Sequence, residues 1–181
     1  MTIGEALLST LATPPLFIPT SIHKESSTFE YIGGDISLSN PTQRIVAETQ
    51  MAFGSEDLIA CILSLGCGHP GVIVTPDDSS LNMWNDFLVR LVKDSERVSQ
   101  EVDARIGHLG IFHRFSVTEG LEHVTEKSIF DTGGIVAHTR AYLDDVSVTE
   151  KMALCIDVLN TRLGISSLEQ MSELNGSCDC F

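Results

Sequence analysis

The chain has 181 residues, of which 43% are hydrophobic and 20% are charged, so it is long enough to bury a core and too apolar for a disordered chain. Its 25 acidic and 11 basic residues give a formal net charge of -14, and no basic cluster interrupts the acidic surface. Such a surface repels phosphate backbones and anionic membranes, so nucleic acid is excluded as a predicted partner.

Cysteine usage and the apolar runs bear on location. Five cysteines without a regular framework spacing are typical of a reducing compartment. No Lys or Arg precedes the first apolar residues, which is unlike a signal peptide. The longest apolar run, Leu58 to Cys67, is far shorter than the roughly 20 residues that span a bilayer. We therefore expect a soluble, cytoplasmic protein without a stable membrane anchor.

Capping and proline signals predict the first elements. Thr2 to Glu5 has the capping-box form Thr-x-x-Glu before an apolar run, and this predicts a helix that the Pro14-Pro15 pair ends. Pro19 interrupts the apolar residues Leu16 to Ile22, which indicates an extended loop or an edge segment and not a central strand.

The stretch Tyr31 to Pro41 combines a short strand, a Gly-Gly turn, a single carboxylate and a helix start. Gly33 and Gly34 permit backbone conformations that a Cβ forbids, and Asn-Pro is a favourable N-cap followed by a favourable first helical residue. Asp35, delivered between a strand end and a helix start, is a candidate catalytic acid or base. The alternative is an ordinary β-turn-α connection with a solvated Asp, which the spacing alone favours.

The middle of the chain reads as a buried strand followed by a long helix. Leu58 to Leu65 contains Ser64 as its one polar group, which predicts a strand buried on both faces, as in a parallel sheet. Val72 to Val74 is a possible further strand. A helix opened by Ser79 or Ser80 is predicted to continue to Ile106, with a buried face that includes Trp84, Leu88 and Leu91.

The last third predicts a strand and three helices. Along Ile111 to Val117, residues Phe112, Arg114 and Ser116 alternate with a second set that includes His113. Helices are predicted over Ile135 to Asp145, from a second capping box at Ser147 to Glu150, and over Ser166 to Leu174. These patterns predict one α/β domain over residues 1–175 and a flexible tail over residues 176–181.

Four motifs in this order resemble the fungal branch of the patatin-like phospholipases. They are Leu11 to Pro19, the Tyr31 to Pro41 stretch, the strand end Ser64-Leu65-Gly66-Cys67-Gly68, and the late pair Phe112 to Val117 and His138 to Leu143. The resemblance covers nearly the whole chain. It implies an α/β fold: the later strands and helices of a patatin-like three-layer α/β/α domain, incomplete at the N-terminal side.

That family hydrolyses lipid acyl esters with a Ser-Asp dyad, without a cofactor. Its nucleophile lies in a Gly-x-Ser-x-Gly elbow, and a Gly-rich loop stabilises the oxyanion, but this sequence contains neither. The resemblance thus implies the C-terminal portion of a lipid acyl hydrolase, inactive alone, with a lipid substrate. The alternatives are a non-catalytic remnant that interacts with another protein chain, which covers its sheet, and an unrelated α/β binding domain.

Asp35 is the one catalytic residue that the resemblance offers. In a gap-free alignment Gly33 falls on the family's Asp and Asp35 on the second glycine of its turn. A two-residue deletion instead gives Asp35 the catalytic position, with Ile36 and Ser37 replacing the glycines.

No metal site is predicted from the sequence. Cys61, Cys67 and His69 are candidates for a metal group, but a buried thiol in a strand explains Cys61 better. His108 and His113 do not have a metal-binding spacing.

Overall fold

The computed structural model describes residues 1–14, 17–34, 38–69, 71–77, 80–121, 124, 132–161 and 163–172. Its helices are α1 (Ile3–Leu11), α2 (Thr42–Ala52), α3 (Leu81–Val92), α4 (Ser95–Ile106), α5 (Thr132–Leu143), α6 (Val146–Thr161) and α7 (Leu168–Ser172), with a 3-10 turn at Gly107–Leu109. Its strands are β1 (Thr20–Lys24), β2 (Ser27–Tyr31), β3 (Leu58–Ile59), β4 (Ile62–Leu65), β5 (Phe112–Phe115) and β6 (Ser166–Ser167). The predicted α/β class is confirmed.

The chain divides into two compact units. Unit 1 comprises Met1–Ser39 and Val74–Asp94, and unit 2 comprises Asn40–Ile73 and the described residues from Ser95 onward. The domain boundary at residue 175 stays a prediction, and the tail over residues 176–181 lies outside the described residues.

Unit 1 contains α1 and a β-hairpin. The predicted capping box is confirmed, because Thr2 Oγ1 accepts from the Glu5 N–H at 3.2 Å and the Glu5 carboxylate accepts from the Thr2 N–H at 2.7 Å. Strand β1 starts directly after Pro19, which cannot donate to the ladder, and pairs antiparallel with β2.

Helix α3, also in unit 1, corrects two predictions. The single helix up to Ile106 is wrong, because α3 ends at Val92 and α4 starts at Ser95. The Asp94 N–H bonds to the Leu91 carbonyl in a tightened last turn, and Asp and Ser favour a helix start over a helix interior. The predicted buried face is wrong for α3, in which no residue is buried, but it is confirmed in α4 at Val102 and Ile106.

Unit 2 contains two small sheets. Strand β3 pairs antiparallel with β6, and β4 pairs in parallel with β5, with Ile62 opposite Phe112. The predicted single strand Leu58–Leu65 is therefore wrong, because its two halves join different sheets. Each sheet has two strands in the described part of the chain. One face of β4 is open, because Ser64 is buried whereas Leu63 and Leu65 are exposed. Val72–Val74 forms no strand.

The core of unit 2 lies where α4 and α7 meet β5. Its buried side chains are Val102, Ile106, Ile111, Phe112, Leu168 and Met171. Partly buried residues of α2 and β4, among them Val46 and Ile62, pack against this cluster. Strand β5 (Phe112–Phe115) lies within the predicted strand Ile111 to Val117 and contributes Phe112 to this core.

Besides that of α4, four helix starts in unit 2 differ from prediction, and one of them is that of α5, which was predicted from Ile135 and starts at Thr132. Helix α2 starts at Thr42, one residue after the predicted Pro41. Helix α6 starts at Val146, because the Asp145 carboxylate accepts from the N–H groups of Ser147 and Val148 and replaces the predicted capping box. Helix α7 starts two residues late, because Ser166–Ser167 pair with β3. Among the described residues, no helix has the length and apolarity needed to cross a bilayer.

Candidate functional site

The predicted acid and its turn are only partly within the described residues. Asp35, Ile36 and Ser37 lie outside them. Gly33 donates its N–H to the Ala12 carbonyl at 2.8 Å, and a Cβ on Gly33 would lie 2.7 Å from the Thr10 carbonyl oxygen. A side chain does not fit there, so the Gly33 position cannot hold the family's Asp and the gap-free alignment supplies no catalytic carboxylate.

Ser64, the serine of the Ser-x-Gly-x-Gly strand end, is buried and already hydrogen-bonded. Its hydroxyl accepts from Arg114 Nη1 at 2.9 Å and lies 3.2 Å from Thr42 Oγ1. Within the described part of the chain, neither a histidine nor a carboxylate is recorded as a hydrogen-bond partner of Ser64. These bonds fix the Ser64 hydroxyl in the interior of unit 2.

Arg114 organises the polar interior around Ser64. The guanidinium, on β5, also donates from Nη2 to Ser95 Oγ at 3.2 Å. Its buried Nε lies 3.7 Å from the Glu96 carboxylate, an ion pair too long for a hydrogen bond. Asn40 completes the network, because its Nδ2 donates to the Ser95 carbonyl at 2.9 Å. These bonds tie the starts of α2 and α4 to both strands of the parallel pair.

The two glycines after Ser64 have different steric reasons, neighbouring side chains at Gly66 and the backbone conformation at Gly68. Gly66 donates its N–H to the Phe115 carbonyl at 2.8 Å, and a Cβ on Gly66 would lie 2.5 Å from Ser116 Oγ. Gly68 has φ +116°, a backbone conformation that residues with a side chain rarely adopt. The loop runs beside the chain segment that follows β5. The Gly-x-Gly sequence therefore keeps the chain close to β5 beyond the ladder.

A groove of about 500 Å³ lies beside β5 in unit 2. The β5 side chains that line it are those predicted to share one side, Phe112 and Arg114, and Ser116 continues that side. Its charged lining is mixed, with Arg114 and Lys151 against Glu96 and Asp103. Pockets that take lipid chains are predominantly apolar, whereas the lining of this groove is part charged and part apolar.

Three sulfur and nitrogen ligands meet on the other side of β5. Ligand atoms of Cys61, His113 and Cys155 all lie within 4.8 Å of one another, and the two sulfurs are 4.0 Å apart. Cys61 directly precedes β4, His113 is on β5, and Cys155 is on α6. His113 and Cys155 are only 8% and 3% exposed, and Cys61 is half-buried.

The surroundings set the protonation states of these groups. Burial, together with the adjacent Cys155, raises the pKa of Cys61 to about 11. Burial also lowers the pKa of His113, and Lys151 adds to this effect. In the described part of the chain, the buried Nε2 of His113 has no hydrogen-bond partner. Both shifts in pKa favour the uncharged form, the thiol of Cys61 and the neutral imidazole of His113.

Sequence reasoning missed this cluster. Its members are dozens of residues apart and form no Cys-x-x-Cys or His-x-x-x-His spacing, so no local motif identifies them. In the part of the chain that the structure describes, Cys61 lies close to His113 and Cys155 and not in a group with Cys67 and His69. The strand alternation places His113 and Arg114 on opposite sides of β5. This signal indicates the cluster only when the helix that packs on the His113 side is also known.

Three comparisons were made with known proteins. No protein-family model matches the chain. No curated protein and no solved structure matches it either.

Proposed function

We propose that this chain carries the later strands and helices of a patatin-like lipid acyl hydrolase. The proposed substrate is a lipid acyl ester, and the proposed location is the cytoplasm, in keeping with the free thiols of Cys61, Cys67 and Cys155. Because no Gly-x-Ser-x-Gly occurs in the 181 residues, the chain supplies no nucleophile of its own and is inactive alone.

The observation that carries this proposal is the strand end at Ser64-Leu65-Gly66-Cys67-Gly68. The parts of this motif have physical reasons in the fold: β4 pairs in parallel with β5, a Cβ on Gly66 would meet Ser116, and Gly68 has a positive φ. Sites in α/β sheets lie at the carboxyl ends of parallel strands, which is where this loop begins. The order of the four motifs along the chain adds support.

A second candidate function is supported by the open side of the parallel pair. Among the described residues, β4 pairs only with β5, and Leu63 and Leu65 of β4 are exposed. Unpaired strand edges and uncovered apolar faces favour association with another chain. The chain would then be a non-catalytic remnant that interacts with a protein partner, such as an active relative.

Labelling of the native polypeptide with a fluorophosphonate tests the first proposal. An antibody raised against this chain recovers the polypeptide from its own cells, and the probe reacts with activated serines. We expect a labelled polypeptide larger than 19.7 kDa and no labelling of the isolated 181-residue chain. An unlabelled native polypeptide would overturn the hydrolase proposal, and a labelled isolated chain would overturn its predicted inactivity.

Asp35 is tested in the same labelled form. Asp35→Asn should abolish hydrolysis of a phosphatidylcholine substrate, whereas Asp77→Asn, at an exposed loop position, should leave it unchanged. Retained hydrolysis in Asp35→Asn removes Asp35 from the mechanism. If the native polypeptide is unlabelled and elutes in a stoichiometric complex with a labelled hydrolase, the second function holds.

A further inference from the structure

We propose that Cys61, His113 and Cys155 bind one Zn²⁺ ion. The proposal does not depend on hydrolase activity. His113 lies within the motif Phe112 to Val117, but none of the three residues has a catalytic role in the proposed hydrolase. Two thiolates and one imidazole form a ligand set that zinc prefers, and three protein ligands leave a fourth position for a further ligand.

The spacing of the ligand atoms fits a tetrahedral ion. With Zn–S distances of about 2.3 Å, two sulfurs bound to one zinc ion lie about 3.8 Å apart. The sulfurs of Cys61 and Cys155 are 4.0 Å apart, and a ring nitrogen of His113 lies within 4.8 Å of both. Movements of less than about 1 Å, within the range of side-chain adjustment, therefore close the site.

His113 supplies an independent reason to expect a ligand. Its side chain is more than nine-tenths buried, and its Nε2 has no hydrogen-bond partner in the described part of the chain. A buried polar atom without a partner costs free energy, and a ligand bound to the His113 ring would remove this cost.

Proton and charge balance are satisfied locally. Binding releases one proton from each thiol to solvent, and the two thiolates neutralise the charge of Zn²⁺. Burial disfavours an isolated Cys61 thiolate, but a metal ion reverses this preference because it deprotonates the thiol that coordinates it. Bound zinc would join the segment before β4 to β5 and α6, so it should stabilise unit 2.

Titration of the reduced full chain with Co²⁺ tests the proposal directly. We expect one Co²⁺ per chain, with the visible bands of a tetrahedral ion and a sulfur-to-cobalt charge-transfer band, and displacement by Zn²⁺. Zinc should also raise the melting temperature. A wild-type spectrum without sulfur-to-cobalt charge transfer overturns the proposal, and this readout does not depend on any variant folding.

Cysteine variants identify the ligands. Cys61→Ser and Cys155→Ser should each weaken Zn²⁺ binding by more than about 100-fold, because even outer-shell changes cost roughly 10–100-fold. Cys67→Ser is the matched control, since Cys67 is an exposed free cysteine outside the cluster, and it should bind zinc normally. Unchanged binding in both cluster variants would place the ion elsewhere and overturn the assignment.

Oxidation offers the competing explanation of the same proximity. Peptide mapping of metal-free chain, purified without reductant, would report a Cys61–Cys155 disulfide if the pair is a redox couple. A Cys61–Cys155 disulfide that forms in air from the reduced chain even when excess Zn²⁺ is added beforehand overturns the zinc proposal. Protection of both thiols from alkylation by Zn²⁺ supports it, provided that Cys67 stays reactive.

Discussion

The two units of the chain are stabilised differently. In unit 2, eight buried apolar residues are recorded, and six of them form one cluster around β5. In the described part of unit 1, only Ala12 and Ile22 are buried apolar residues, and α1 and α3 bury none. Unit 1 is thus built from local signals, a capping box and a hairpin, whereas unit 2 is built around a core.

This difference shows what an amphipathic pattern does and does not establish. The spacing of Trp84, Leu88 and Leu91 correctly predicts a helix at α3, because local periodicity favours helix formation. Whether such a face is covered depends on the rest of the fold. The predictions below test whether the uncovered face of α3 contributes to stability.

The largest expected effect comes from a matched pair of leucines. Leu168→Ala, in the unit 2 core at 1% exposure, should lower the free energy of unfolding by about 2–5 kcal/mol, because it leaves a cavity. Leu88→Ala, on α3 at 51% exposure, should change it by less than about 1 kcal/mol. Urea denaturation measures both. Equal losses would mean that the α3 face is covered in solution.

Arginine variants should give the next largest effect. Arg114→Met removes the donors to Ser64 and Ser95 from a buried network and should cost about 2–3 kcal/mol. Arg44→Met, which breaks only an exposed pair with Glu48 on α2, should cost about 0.3–0.5 kcal/mol. Thermal unfolding of both variants checks the difference. A negligible effect at Arg114 would show that the interior network is not formed.

The smallest effect concerns one helix start in each unit. The backbone N–H of Thr2 lowers the pKa of Glu5 in α1, and the Ser147 hydroxyl lowers the pKa of Asp145 at α6. Because both pKa values are lower in the folded chain, each carboxylate stabilises its helix above the unfolded pKa, about 4, and this stabilisation is lost as pH falls through the folded pKa.

Glu5→Gln and Asp145→Asn should therefore lower the melting temperature at pH 7 and match the wild type under acid conditions. Asp144→Asn is the control for Asp145, because Asp144 makes none of the cap hydrogen bonds. Circular dichroism melts across the acid range provide the measurement. A destabilisation that is independent of pH would contradict the capping assignment.

The features that depend on neighbouring residues could be predicted from the sequence, whereas those that depend on tertiary contacts could not. The α1 capping box and the strand at β5 depend on neighbouring residues. The capping box is confirmed, and β5 is found at Phe112–Phe115, within the predicted Ile111 to Val117. The division of Leu58–Leu65 depends on which strands become available, and β3 takes its partner from Ser166–Ser167. The Cys61 cluster needs β5 and α6 together, so no window of sequence contains it.

The pairing of β3 with β6 also has a kinetic consequence. Leu58 and Ile59 find their partners only at Ser167 and Ser166, and Leu168 and Met171 close the core on residues of α4 and β5. At translation rates of about 5–20 residues per second, β3 waits on the order of 5–20 s for its partner to emerge from the ribosome. Such distant pairing slows folding. During this interval the apolar segments of unit 2 are accessible, so nascent chains should depend on chaperone binding.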